Sequence, residues 1–129
     1  MTKFFICASV FVFLTSLSSN AQELKKKLRG TYLGTLPSYY MEVGEQLLEV
    51  DDAQVSITFL EGNKVQETLG SSNQEGVYRI TSESKTAIII QVNYPNQLVY
   101  EVLEIRKKEK TIIRKGFYPQ PECKLTKTS

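Results

Sequence analysis

The sequence predicts an all-β protein, an antiparallel up-and-down meander of about eight strands that closes into a small barrel behind a short N-terminal helix. Three observations carry this. First, apolar residues alternate with polar ones from Gly30 onward. The clearest run is Ala53 to Phe59, where Ala53, Val55, Ile57 and Phe59 share one face and Gln54, Ser56 and Thr58 the other. That is the pattern of a half-buried strand. Second, turn-forming residues recur near positions 62, 72, 83, 95 and 108, the regular spacing of successive hairpins. Third, the connections are short. Closure into a barrel needs no long crossover and removes exposed strand edges, whereas a sandwich keeps them.

Taken in order, the chain opens with Lys3, an apolar run from Phe4 to Leu17, and the polar stretch Ser18-Ser19-Asn20 before Ala21. Small residues at Ser19 and Ala21 suit signal peptidase, so residues 1–21 read as a leader cut before Gln22. A helix over the apolar run would reach roughly 21 Å, short of the about 30 Å of a bilayer core. No integral membrane segment is therefore expected after processing, and the protein is expected to be exported, to the periplasm or outside the cell. Residues 22–129 then form one domain. Cutting the leader removes Cys7 and leaves Cys123 as the single thiol. Such a thiol either stays alone in a tail or links two chains into a dimer.

Gln22 to Arg29 suits a helix of at most two turns. Glu23 stands in its first turn, Lys25, Lys26, Lys27 and Arg29 follow, and Gly30 closes it. The basic cluster reads as a solvated face. Gly30 to Leu36 is the first strand. Tyr39–Val43 and Gln46–Val50 make a hairpin about Gly44-Glu45. After Ala53–Phe59, Gly62-Asn63 signals a tight turn, because both residues accept positive φ. Lys64–Leu69 returns, Gly70 to Gly76 reads as loop, and Val77–Thr81 as strand. Lys85–Asn93 and Leu98–Arg106 flank Tyr94-Pro95-Asn96-Gln97, a turn with Pro at its second position. Thr111–Tyr118 is the last strand, and residues 119–129 read as an extended tail.

The layout resembles that of the lipocalins and their small bacterial relatives. Gly30-Thr31-Tyr32 opens the first strand directly after a short helix, where that family places Gly-x-Trp, its aromatic closing the barrel's lower end. The family packs a basic residue of the last strand over the aromatic, and Arg114 is the matching residue here, so the resemblance implies a Tyr32–Arg114 closing pair. It also implies a pocket for a small apolar molecule at the barrel mouth, with Tyr39 and Tyr40 lining or plugging it. The chain departs from the family in carrying Tyr for Trp, and in lacking a helix after the last strand and the usual disulfide.

Composition removes several chemistries. The chain has 129 residues, 41% hydrophobic and 23% charged, with no His, no Trp and a formal net charge of +2. No His base, His-ligated metal or Ser-His-Asp triad can be built. A phosphate-binding Gly-rich loop, a nucleophile elbow and zinc spacing are missing, so no cofactor and no metal are expected. Glu49, Asp51 and Asp52 read as a solvated turn before the Ala53 strand, not as a Ca²⁺ site. Acidic residues are dispersed among basic ones, and nucleic-acid binding is not expected.

More telling are charges on apolar strand faces. Glu67 shares a face with Val65 and Leu69, and Glu101 with Val99, Leu103 and Ile105. A carboxylate inside a small barrel costs several kcal/mol, as an order of magnitude, unless it is paired. Arg79 and Arg114 are the candidate partners, and the cluster then anchors a ligand's polar head or serves structure alone. The other reading is a β-bulge, or a strand whose opposite face (Leu98, Tyr100, Val102) is the buried one. The leading functional expectation is an exported, non-enzymatic binding protein for a small apolar or amphipathic ligand. The alternative is a structural or protein-interaction module of the cell envelope with a filled barrel. An isomerase or cyclase using Glu or Tyr is the third reading.

Overall fold

In the computed structural model, which describes residues 22–128, ten strands are formed. They are β1 (Gly30–Leu36), β2 (Tyr39–Val43), β3 (Gln46–Val50), β4 (Ala53–Phe59), β5 (Lys64–Leu69), β6 (Ser72–Glu83), β7 (Ala87–Asn93), β8 (Glu101–Arg106), β9 (Thr111–Arg114) and β10 (Cys123–Lys127). Eight of them close into an antiparallel barrel in the order β1-β10-β9-β8-β7-β6-β5-β4, and β2 and β3 pair only with each other. The expected leader, residues 1–21, lies outside the described residues. Among the described residues, no helix is long and apolar enough to cross a membrane.

The all-β barrel matches the expectation, but its eight strands are not the expected ones. The hairpin β2–β3 stands outside the ring, and β1 pairs directly with β4 from Gly30↔Phe59 to Leu36↔Ala53. The eighth place is taken by β10, from the stretch read as an extended tail. β10 pairs with β9 on one side and with β1 on the other, through Tyr32↔Lys127, Leu33↔Thr126 and Gly34↔Leu125. This seam depends on Gly34, where an added Cβ would collide with the Lys124 carbonyl and the Leu125 side chain.

The strand faces follow the sequence pattern. Val55, Ile57 and Phe59 of β4, Ile88, Ile90 and Val92 of β7, and Leu103 and Ile105 of β8 are buried, and together with Val65, Ile112 and Leu125 they fill the barrel interior. The Gly62-Asn63 turn forms as read, with φ of 74° and 60°. β6 is longer than expected, beginning at Ser72, and shifts register between Ile80 and Ser82.

The N-terminal helix is a correction. Only a 3₁₀ turn forms, at Lys26–Leu28. Of its backbone groups an α-helix over 22–29 would use the Gln22 carbonyl for itself, whereas the Leu24 amide and Leu28 carbonyl would be free at its ends; the barrel binds all three in a geometry of its own. Asn63 Nδ2 donates to the Gln22 carbonyl at 2.9 Å, the Leu24 amide donates to Tyr78 Oη at 3.0 Å, and Tyr32 Oη donates to the Leu28 carbonyl at 2.7 Å. Leu24 and Leu28 are both buried. Each contributes about 1.5–3 kcal/mol of apolar burial, which an isolated two-turn helix cannot match. Beneath them Tyr32, Phe59 and Tyr78 stack edge to face, with ring centroids 5.9 and 5.3 Å apart. This end of the barrel is sealed.

Candidate functional site

The other end differs in chemistry. Here β5 and β6, β7 and β8, and β9 and β10 are joined, and the inward alternation brings charges instead of apolar side chains. Glu67 follows Val65 on the inner face of β5. Glu101 precedes Leu103 and Ile105 on β8, and Arg114 follows Ile112 on β9. All three are 2–3% exposed. Of the two readings open for Glu67 and Glu101, burial on the apolar face is the one formed. Leu98 and Tyr100 lie outside β8 and are exposed.

Arg114 joins the two carboxylates. Its Nε donates to Glu67 Oε2 at 3.1 Å, its Nη2 donates to Glu101 Oε2 at 3.4 Å, and its Nη1 donates to Gln120 Oε1 at 3.0 Å. Gln74, directly across from Glu67 on β6, donates to Glu67 Oε1 at 3.1 Å. Glu101 Oε1 lies 3.2 Å from the same Nε but accepts no hydrogen bond. That nitrogen carries one hydrogen, and Glu67 receives it. The cluster thus holds two carboxylates, one guanidinium and an acceptor oxygen left over.

Electrostatics follow from that count. Burial pushes the Glu101 carboxyl up to about 7, the nearby Glu67 charge adds to the rise, and Arg114 only partly opposes it. Burial by itself lowers the Arg114 pKa, but Glu101 and Glu67 outweigh it and hold the guanidinium above its ordinary value. Tyr94 follows β7 and is raised by burial and by both glutamates, and its buried hydroxyl finds no partner. Gly76 lets its ring lie close against β6, since a Cβ there would meet ring carbons at 2.7 and 2.9 Å.

A cavity of about 230 Å³ opens onto the cluster, walled by Glu67, Glu101, Arg114, Gln74, Ser72, Gln97 and Gln120 with Leu69 and Phe117. No family model matches the chain, and neither a curated protein nor a solved structure matches it. The site therefore rests on its own geometry.

Of the residues the sequence pointed to, Glu67, Glu101 and Arg114 come together. Arg79 does not join them. It faces outward on β6, opposite Gln91, and donates to its Oε1 at 3.3 Å. Tyr40 is exposed on the hairpin, and Tyr39 packs against the core edge. Tyr32 and Arg114 serve separate places. Tyr32 lies under the sealing turn, its hydroxyl held by Leu28 and pushed up to about 12 by burial, while Arg114 is engaged by the two glutamates. Cys123, opposite Arg114 on β10, is buried, and burial raises its thiol.

The sequence reading missed Ser72, Gln74, Gln97 and Gln120. For the first two a signal was present. Ser72, Gln74 and Gly76 continue the even-numbered inward phase of Tyr78 and Ile80. Polar residues in that phase resemble a loop when only apolar alternation is sought.

Proposed function

We propose that this is an exported, non-enzymatic binding protein of lipocalin-like layout, whose ligand is small and amphipathic and seats its polar head on the Arg114–Glu67–Glu101 cluster. One observation carries the reading: the barrel is plugged at one end by Leu24 and Leu28, while the other end opens onto fully buried charges through a cavity of about 230 Å³, smaller than the roughly 300 Å³ of an ordinary ligand pocket and so sized for a head group with the rest of the ligand outside. Burying charges costs several kcal/mol unless they are paired, and here two carboxylates share one guanidinium, Glu101 Oε1 lying 3.2 Å from Arg114 without a hydrogen bond, while Glu101 lines the cavity. Polar groups at the base of a pocket fix a ligand's orientation, and apolar walls hold the rest of it. Leu69 and Phe117 supply apolar wall here. The apolar packing below the cluster favours an amphipathic ligand at the mouth over an apolar one deep inside. Export rests on the leader-like sequence of residues 1–21.

A second reading has its own support. Tyr40, Val43, Leu47 and Leu48 on the hairpin, Leu98, Val99 and Tyr100 before β8, and Phe117 and Tyr118 after β9 are all exposed. Apolar exposure gathered at one end of a barrel suits an interaction surface, as in an envelope interaction module.

Native mass spectrometry of the protein purified from its own host's envelope tests both. A retained mass of a few hundred daltons, lost when Arg114 and Glu101 are both replaced, supports the ligand reading. A bare chain overturns it, and a protein-sized adduct favours the interaction module.

A further inference from the structure

We infer that the head group recognised at the open mouth is a cation that only donates hydrogen bonds, a primary ammonium, taken by Glu101 Oε1. The inference rests on the ligand-binding reading above and assigns its chemical class. Each nitrogen of Arg114 already donates to one acceptor, Nε to Glu67, Nη2 to Glu101 and Nη1 to Gln120, so only the second N–H of each Nη is left. An anionic head reaching for those would add a third negative charge to a buried site holding one guanidinium. A cation does the reverse. It offsets the excess of two carboxylates over one guanidinium, and its N–H groups meet Glu101 Oε1, which lies 3.2 Å from Arg114 Nε without receiving its hydrogen; the ammonium thereby replaces the proton that the uncharged Glu101 carboxyl shares with Glu67. Tyr94 Oη, buried and also without a partner, is a further acceptor beside the glutamates. The alkyl part of such a ligand then lies along Leu69 and Phe117, and the Phe117 ring is the kind of neighbour an ammonium tolerates well.

The geometry makes binding proton-linked. Glu101 faces Glu67 from β5, Arg114 from β9, Tyr94 from the β7–β8 connection and, through the Arg114 side of the cluster, Cys123 from β10. Its carboxyl, raised to about 7 in the free protein, must ionise to hold an ammonium. Binding near neutral pH therefore releases protons, whereas binding of a carboxylate head would take them up.

Calorimetric titration of the full chain with n-hexylammonium chloride, sodium hexanoate and 1-hexanol separates the cases. Hexylammonium is expected to bind in preference to the other two. Its enthalpy should vary with the buffer's ionisation enthalpy in the sense of proton release, and its affinity should fall roughly tenfold from pH 8 to pH 6. Glu101→Gln should weaken it at least about tenfold, and the wild-type pH profile decides the matter should that variant not fold. Preferential binding of hexanoate, or equal binding of hexanol, overturns the cation assignment and leaves the ligand reading standing. Binding of none of the three, with a small molecule retained in native mass spectra, does the same. Binding of none with a bare chain overturns both.

Discussion

The two ends of this barrel are built on one strand pattern and differ in what the pattern presents. At the end closed by residues 24–28, inward positions carry Tyr32, Phe59 and Tyr78, and the N-terminal segment lays Leu24 and Leu28 over them. The hydroxyls of Tyr32 and Tyr78 there each have a backbone partner, at Leu28 and Leu24. At the open end the same inward phase carries Glu67, Glu101 and Arg114, and two polar atoms, Glu101 Oε1 and Tyr94 Oη, go without hydrogen bonds. By hydrogen bonds alone the ends are alike, since Arg29 Nε and Thr111 Oγ1 at the first also go without a partner. They differ in charge: the first is closed by apolar and aromatic side chains, whereas the second buries two carboxylates against one guanidinium, and a cation from outside would balance it. A barrel of this size can fill itself or hold one small ligand; the first end is filled, and the second is the one proposed to hold a ligand.

Arg114→Met gives the largest expected effect. It leaves two buried carboxylates without their cation, which costs about 3–5 kcal/mol. Urea unfolding at pH 8 should show that loss, and the loss should shrink at pH 5 as a carboxyl takes up a proton. A loss under about 1 kcal/mol at pH 8 would mean the cluster is solvated and the two ends are alike.

Next comes pH itself. The Glu101 carboxyl is raised from 4.5 to about 7 in the folded chain, so between those values the folded state holds a proton that the unfolded chain has lost. Its contribution is therefore favourable at low pH and is lost as pH rises through about 7, on the order of 3 kcal/mol in all. Unfolding free energies from pH 4 to 8 should show wild type losing ground to Glu101→Gln over this window. Parallel curves would place Glu101 in water.

Leu28→Ala should cost about 2–3 kcal/mol by loss of burial at the sealed end, with hexylammonium affinity unchanged. A coupled loss of binding would show that the ends are not independent. Tyr78→Phe is the mildest. It leaves the Leu24 amide without its acceptor at a cost of about 1 kcal/mol, read as increased amide exchange at Leu24 alone.

The sequence made most of this legible where local chemistry decided the outcome. Gly62-Asn63 had to turn, Ala53–Phe59 had to be half buried, and Glu67 and Glu101 stood out because a carboxylate on an apolar face needs a reason. Non-local decisions were hidden. β10 is a short Cys-Lys-Leu-Thr-Lys run behind two prolines, and nothing local says that Gly34, some ninety positions earlier, lets it dock. The hairpin β2–β3 alternates like any strand pair, yet β1 finds β4 instead. The helical charge order of residues 22–29 lost to the Asn63 side chain, which takes the Gln22 carbonyl, and to the burial of Leu24 and Leu28. The choice of Arg114 over Arg79 is a matter of phase. Arg79 follows inward Tyr78 and points out, while Arg114 lies two residues after inward Ile112.

The central claim is that Glu101 is buried in a cluster with more negative than positive charge. The carboxyl ¹³C shift of Glu101, assigned by its disappearance in Glu101→Gln, reports this directly when followed against pH by NMR. A midpoint near 7 is expected. A midpoint at the ordinary 4.5 would contradict the charge surplus and, with it, the proposed open-mouth site.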